Sequence, residues 1–301
     1  PLGVTRFRGV QPNPFLGWRA IRMCLDQPEL FKVQLRALLR AAVHGDLRIM
    51  LPLIVSIEEV RQSKLLIAEA ANDLAARGEP HRADVPVGVM VETPAAAVTA
   101  DLLARETAFF SIGTNDLVQY TLAVDRGNAS LISRFTALHP AVLRLIERAQ
   151  VAGSSAGIDV SVCGEMASQP LMAFALLGLG IRQLSVAPRS VPAVKHLIRC
   201  IRVSAAEEAA RAALTAGTPR AVEHLLRERL LAELRRHGDA ADGLLAEVIG
   251  HRRRHDRGDR HRQQLGEDVQ RVRQGDCDGG VIDRAEPPQA VCARIHHRSS
   301  A

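Results

Sequence analysis

Between residues 28 and 201 the chain repeats one pattern: a short, nearly continuous apolar run, then a longer stretch whose apolar residues recur at helical spacing. Arg48–Ile54, Val85–Val91, Phe109–Ile112, Asp159–Val162 and Leu184–Val186 read as strands, and the apolar segment at 15–21 offers a sixth candidate. A helix is predicted over 28–43, with Pro28 suited to its first turn and Leu30, Val33, Leu35, Leu38 and Leu39 as its apolar positions. Ser56 and Glu59 have the spacing of a capping box for the next helix. That helix carries Val60, Ile67, Ala71 and Leu74 on one stripe and ends at Gly78. Thr93-Pro94 opens an Ala-rich helix to about Glu106, and further helices run from Pro140 to Gly157, from Pro170 through Leu177, and from Ser190-Val191-Pro192 through Ile201. Beyond Ile201 only helix is expected, first over 204–215 and then from Thr218-Pro219 with Val222, Leu225, Leu226, Leu230 and Leu234.

Strands alternating with helices of this length imply parallel βαβ units, hence an open doubly wound sheet or a (β/α) barrel. No Gly-x-Gly-x-x-Gly follows a strand; Gly178-Leu179-Gly180 precedes one, on the wrong side for a phosphate loop. Polar residues stand at the C-terminal ends of successive strands instead: Glu92, then Asn115 and Asp116, then Cys163 and Glu165. In a barrel those ends converge on one rim, which favours the barrel. Five clear strands fall short of the usual closure of about eight. The expected organisation is an irregular leader at 1–12, the α/β body at 13–236 and a tail at 237–301.

Composition narrows the function. Aromatic residues make up 3% of the chain, too few for the stacking platforms of single-strand nucleic-acid binders. The net charge is +6, and the last fifty residues hold 11 Arg against 8 acids, so the body is nearly balanced. The tail, typified by His251-Arg-Arg-Arg-His-Asp-Arg, lacks hydrophobic periodicity and is expected to be disordered. Five scattered cysteines without a CxxC pair make neither a disulfide framework nor a zinc site, so the default is a reducing, cytoplasmic location. No apolar run approaches the length of a membrane span, and no leader peptide is evident.

The stretch Phe109-Phe110-Ser111-Ile112-Gly113-Thr114-Asn115-Asp116 is the densest chemistry in the chain, an apolar strand that ends in a hydroxyl, an amide and a carboxylate. An Asx turn closing the strand is the plain reading. If the rim residues share a site, Glu92 and Asp116 can jointly ligate one divalent cation, and Mg2+ typically takes one or two carboxylates. Arg126 follows in Ala123-Val-Asp-Arg-Gly-Asn128, and Arg19 ends the first candidate strand. A guanidinium aimed at the rim suits a small polyanionic substrate, whereas Arg22 is assigned to an ordinary surface ion pair. The Cys163 thiol, near its reference pKa of about 8.5, is able to donate a proton to a carbanion-like centre, with Glu165 placed to hold or recharge it. Cys24 and Cys200 read as small hydrophobes on helices, and His139 as a helix-start residue.

Asn13-Pro-Phe-Leu-Gly-Trp-Arg-Ala-Ile-Arg22, Val89-Met-Val-Glu-Thr-Pro94, Ser111-Ile-Gly-Thr-Asn-Asp116, Ala123-Val-Asp-Arg-Gly-Asn128 and Val162-Cys-Gly-Glu165 together resemble the C-terminal domain of enzyme I of the bacterial phosphotransferase system, a phosphoenolpyruvate-utilising family. The resemblance covers about residues 13–235. It implies a (β/α)8 TIM-type barrel that dimerises and binds phosphoenolpyruvate. It further implies Mg2+ on Glu92 and Asp116, substrate contacts from Arg19, Asn115 and Arg126, and protonation of the enolate C3 by Cys163 to give pyruvate. In that family the phosphoryl group passes to a histidine on a separate domain and then to the phosphocarrier protein HPr, for sugar uptake.

Departures from the family set further expectations. Its first two barrel strands, with a substrate arginine and a Gly-Gly-Asp-Lys loop, have no counterpart here, and neither does the phosphohistidine-bearing half. The chain is therefore expected to be a truncated barrel that does not complete transfer to HPr alone. Val118 replaces a usual Thr. Two other readings stay open: a non-catalytic remnant or dimerisation module, and a relative of phosphoenolpyruvate synthase or pyruvate phosphate dikinase.

Overall fold

The computed structural model describes residues 13–131 and 136–237, single positions at 244 and 248, and the backbone course of 292–296. The chain divides into two compact units, and the division falls within one helix and one strand. The first takes the described residues up to Gly113, Val151–Val160 and the strand near the C-terminus; the second takes those of Thr114–Gln150 and those from Ser161 onward up to 248.

In the first unit, strands β1 (Asp46–Leu51), β2 (Val87–Val91) and β3 (Phe109–Gly113) pair in parallel, with Ile49 opposite Val87 and Val89 opposite Phe110. Helix α1 spans Ala20–Asp26, α2 Pro28–Ala41 and α3 Ile57–Ala76. The α2 core stripe is Phe31, Leu35 and Leu39, four residues apart; Leu30 and Val33, expected to face inward, are exposed. Helix α3 buries Val60, Ile67, Ala71 and Leu74 as its periodicity predicts. Its start is the predicted capping box, in which the Glu59 carboxylate accepts the backbone N–H of Ser56, and Gly78 follows its end at φ 65°. Lys32–Glu69 and Arg36–Asp73 ion pairs run between α2 and α3.

Four local expectations are corrected here. The candidate strand at 15–21 is instead a 3-10 turn, Pro14–Leu16, leading into α1. The Arg22 guanidinium donates to the carbonyls of Leu16 and Gly17, closing the turn onto the helix rather than pairing with a surface acid. The Ala-rich segment is two helices, α4 (Pro94–Val98) and α5 (Ala100–Ala104), broken at Thr99. The Thr99 hydroxyl donates to the Ala95 carbonyl four residues back, a bond that competes with the helical ladder. Finally, a strand does occur after residue 201: β6 (Cys292–His296) pairs antiparallel with β1. The rest of the tail, with its expected disorder, and the leader at 1–12 lie outside the described residues.

The second unit begins with α6 (Thr114–Leu122), where a turn was the plain expectation. Helix α7 (Pro140–Ser155) opens at His139, whose Nδ1 accepts the Ala141 N–H, as a helix-start residue should. Strand β4 (Asp159–Cys163) pairs in parallel with β5 (Gln183–Leu184). Helices α8 (Pro170–Gly178), α9 (Val191–Arg199), α10 (Val203–Thr215) and α11 (Pro219–Arg235) follow. A Cβ on Gly178 would come within 2.1 Å of the Ala206 carbonyl oxygen, so α8 and α10 are in near-backbone contact across the Ala206, Ala209, Ala210 and Ala213 face. Leu244 and Val248 are buried, and the Arg227 guanidinium donates to the Val248 carbonyl.

Among the described residues the strand order is β5-β4-β3-β2-β1-β6, an open, mainly parallel sheet of an α/β fold, and these strands do not close into a barrel. Among the described residues no helix is long and apolar enough to cross a membrane.

The ion pair between Arg202, the N-cap residue of α10, and Glu233 on α11 carries a pH-dependent part of stability. Glu233 accepts from Arg202 Nη2 at 2.7 Å and Nε at 3.1 Å, and these hydrogen bonds hold its carboxyl below the ordinary value. A carboxyl whose folded pKa is lowered stabilises the fold above its unfolded value and loses that contribution as pH falls through the folded one. Glu233→Gln should therefore lower the melting temperature at pH 7, and the gap to wild type should close as the pH is taken below the glutamate value of 4.5. A gap constant from pH 7 to pH 3 would contradict the assignment.

Candidate active site

Both expected metal-ligand carboxylates are deeply buried, each 3% exposed. In the first unit Glu92 follows the last residue of β2, and its Oε1 accepts the backbone N–H of Leu53 at 2.7 Å. Leu53 is buried with φ 57°, a left-handed conformation that a non-glycine residue adopts at a cost. The Glu92 carboxylate thus holds a strained turn after β1. Thr93 holds the next peptide: its hydroxyl donates to the Ile54 carbonyl at 2.8 Å and accepts the Ala96 N–H at the start of α4. Gly113, at the end of β3, leaves room for Glu92, because a Cβ there would lie 2.9 Å from both Glu92 Cβ and Oε2. Arg19 is the N-cap residue of α1, with its guanidinium 5.7 Å from the centre of the Phe15 ring.

In the second unit, α6 presents Thr114, Asn115 and Asp116 in its first turn, with Gln119 one turn on. Asp116 Oδ1 pairs with Arg126 Nη1 at 3.3 Å, and the arginine side chain is 23% exposed. Gln119, itself buried, accepts the Arg126 backbone N–H on Oε1 at 3.0 Å. One helix therefore holds both the guanidinium and the backbone of Arg126. The arrangement is suited to recognising an anion, since Arg126 is tied at its root and charged at its tip.

Cys163 is half-buried at the end of β4, and the Thr114 hydroxyl donates to its carbonyl at 3.0 Å. Glu165 is solvent-exposed and opens a 3-10 turn, Glu165–Ser168. Burial pushes the Cys24 thiol up to about 11, and Cys200 is buried with its sulfur 3.9 Å from His196 Nε2.

Gln119 was not read from the sequence at all, and Gly113 and Thr114 were singled out with Asn115 and Asp116 without a role of their own. Gln119 lies three residues after Asp116, a spacing that puts both on one helical face, but the signal is visible only once 114–122 is a helix.

Among the described residues no cluster of three or more His, Cys, Asp or Glu side chains forms a protein-only metal cage. Buried carboxylate oxygens supplied one or two at a time suit Mg2+, which completes its shell with water and phosphate oxygens.

The chain belongs to the PEP-utilising enzyme family: the model of its PEP-binding domain matches residues 8–203. Two relatives, from Haemophilus influenzae and Staphylococcus carnosus, are both called phosphoenolpyruvate-protein phosphotransferase. The first is 46% identical over 219 residues, covering 73% of this chain and 38% of the relative. The second is 43% identical over 216 residues, covering 72% and 38%. The chain therefore spans under two fifths of the length of these relatives. A solved citrate lyase from Burkholderia xenovorans superposes with a TM-score of 0.40 at 19% identity, over 71% of this chain and 72% of that one, too loose a match to bear on fold or function.

The Glu92–Leu53 bond has a direct readout. Glu92→Ala leaves the buried Leu53 N–H without its acceptor, and its amide exchange should accelerate by about ten- to a hundredfold, while Glu92→Gln, which keeps a carbonyl oxygen there, changes it little. Equal exchange in both variants and wild type would show that Glu92 does not hold this turn.

Proposed function

We propose that this chain is the phosphoenolpyruvate-binding part of a phosphoenolpyruvate-protein phosphotransferase. The observation that carries the reading is the Asp116–Arg126 arrangement, a buried carboxylate and a tethered guanidinium 3.3 Å apart on one helix and its following loop. The names of the relatives favour a protein phosphotransferase over a phosphoenolpyruvate synthase. The open parallel sheet, with its polar residues at the C-terminal strand ends, is taken as an arc of the (β/α)8 barrel.

In this reading Glu92 and Asp116 hold Mg2+, and Arg19, Asn115 and Arg126 hold the phosphate and carboxylate of phosphoenolpyruvate. The cation, when bound, supplies charge neutralisation for the phosphoryl oxygens. Arg126, anchored by Gln119, turns its guanidinium to the substrate anion and orients it. As the phosphoryl group leaves for a histidine nitrogen on another domain, the bond to the enol oxygen breaks and the electrons remain on the enolate. Cys163 then gives its thiol proton to C3 of the enolate, forming pyruvate, and the thiolate is reprotonated from solvent. In the intact protein HPr and a second copy of the chain would be the protein partners, acting in the cytoplasm in sugar uptake.

Calorimetry tests the reading. Phosphoenolpyruvate should bind the folded chain only with Mg2+ present, and Arg126→Gln should weaken that binding by about tenfold or more, as loss of a charge-assisted hydrogen bond does. Absence of binding in a folded, Mg2+-saturated sample, or binding indifferent to the cation, would overturn it.

A further inference from the structure

We infer that Thr114 is the positioning residue for the Cys163 thiol, an inference that rests on the proton-donor reading of Cys163. Thr114 is 1% exposed at the start of α6. Threonines at helix starts commonly accept an N–H of their own first turn. This one donates instead, to the carbonyl of Cys163 at 3.0 Å, forty-nine residues further along the chain.

The peptide that follows is shaped to receive it. Gly164 has φ 106°, a region that L side chains rarely adopt. A Cβ there would lie 2.5 Å from Thr114 Oγ1 and 3.3 Å from Asn115 Oδ1, so the hydroxyl fills the space that a side chain on residue 164 would take. The hydroxyl therefore acts on this turn twice, by a hydrogen bond to the carbonyl and by contact with the glycine. The 162–163 peptide is held by the Ser185 N–H, which donates to the Val162 carbonyl at 2.8 Å, and with the 163–164 peptide held as well the Cα–Cβ direction of Cys163 is set and only χ1 remains to aim the sulfur. Transfer of a proton to carbon requires the donor to sit within a narrow range of distance and angle, which a loose strand end does not provide. Gly164 permits the geometry, and Thr114 fixes it.

The test reads the thiol itself, without phosphoenolpyruvate or cation. Iodoacetamide alkylation of Cys163, mapped by mass spectrometry, is timed in the full chain and in Thr114→Val and Thr114→Ser. Losing the hydroxyl should free the turn and speed alkylation by about three- to tenfold, the scale of one hydrogen bond, and Thr114→Ser should restore the wild-type rate. Thr114→Ala replaces Thr114→Val should the latter not fold, and Thr114→Ser is decisive by itself, since it keeps the hydroxyl and loses only the methyl. A Ser variant that alkylates much faster than wild type, or a Val or Ala variant that melts earlier with Cys163 reactivity unchanged, overturns the inference. The proton-donor reading is tested apart from this, by exchange of pyruvate C3 protons in D2O with Mg2+ present: Cys163→Ser should abolish it. Exchange that survives in Cys163→Ser would remove that reading while leaving the alkylation result intact.

Discussion

A carboxylate removed from water must meet a countercharge or give up its own charge, and Asp116 meets Arg126. That requirement organises the start of the second unit. Strand β3 is buried along its whole length, and the chain leaves it directly into α6, whose first turn carries the carboxylate and whose next turn carries Gln119. Gln119 in turn holds the loop that returns Arg126 to the helix. Without the ion pair, α6 would bury an uncompensated charge; without the helix, the arginine would have no fixed root. In the proposed function the guanidinium that this pair orients is the one that meets the substrate anion.

Glu92 solves the equivalent problem differently. It is as buried as Asp116, and its Oε1 meets a backbone N–H presented by the left-handed turn at Leu53. The hydrogen bond between them offsets part of the cost of both the strained turn and the buried carboxylate. A residue proposed as a cation ligand therefore also supports local structure, and changes at Glu92 should be read for both effects. Gly113 completes the arrangement by what it lacks, since any side chain there would push the carboxylate aside.

Much of this was legible in the sequence where a signal is local. The box of Ser56 and Glu59, the prolines at 28, 94, 140, 170 and 219, and Gly78 and Gly157 past their helix ends mark boundaries by backbone chemistry that acts within a few residues. What was missed depends on distant contacts. Residues 114–122 are poor in strong helix formers, and the Asn-Asp pair reads as a turn; burial of Leu117 and Val118 makes the helix. The aromatic and apolar residues at 15–21 mimic a strand, but the Arg22 guanidinium folds them back onto α1. Strand β6 sits in an Arg-rich tail and gains its regularity only by pairing with β1. The carboxylates and the cysteine were visible because strand ends are simple to count. The Thr114 hydroxyl was visible but its partner was not, and Gln119 was missed, because both roles exist only when α6 is present.

The proposed function rests on Glu92 and Asp116 as ligands of a divalent cation. Electron paramagnetic resonance of Mn2+ titrated into the wild-type chain, Glu92→Gln and Asp116→Asn tests that claim without any substrate. One bound Mn2+ in wild type, with most of the binding lost in each single variant, is the predicted result. Mn2+ binding that is unchanged by either substitution in a folded protein would contradict it.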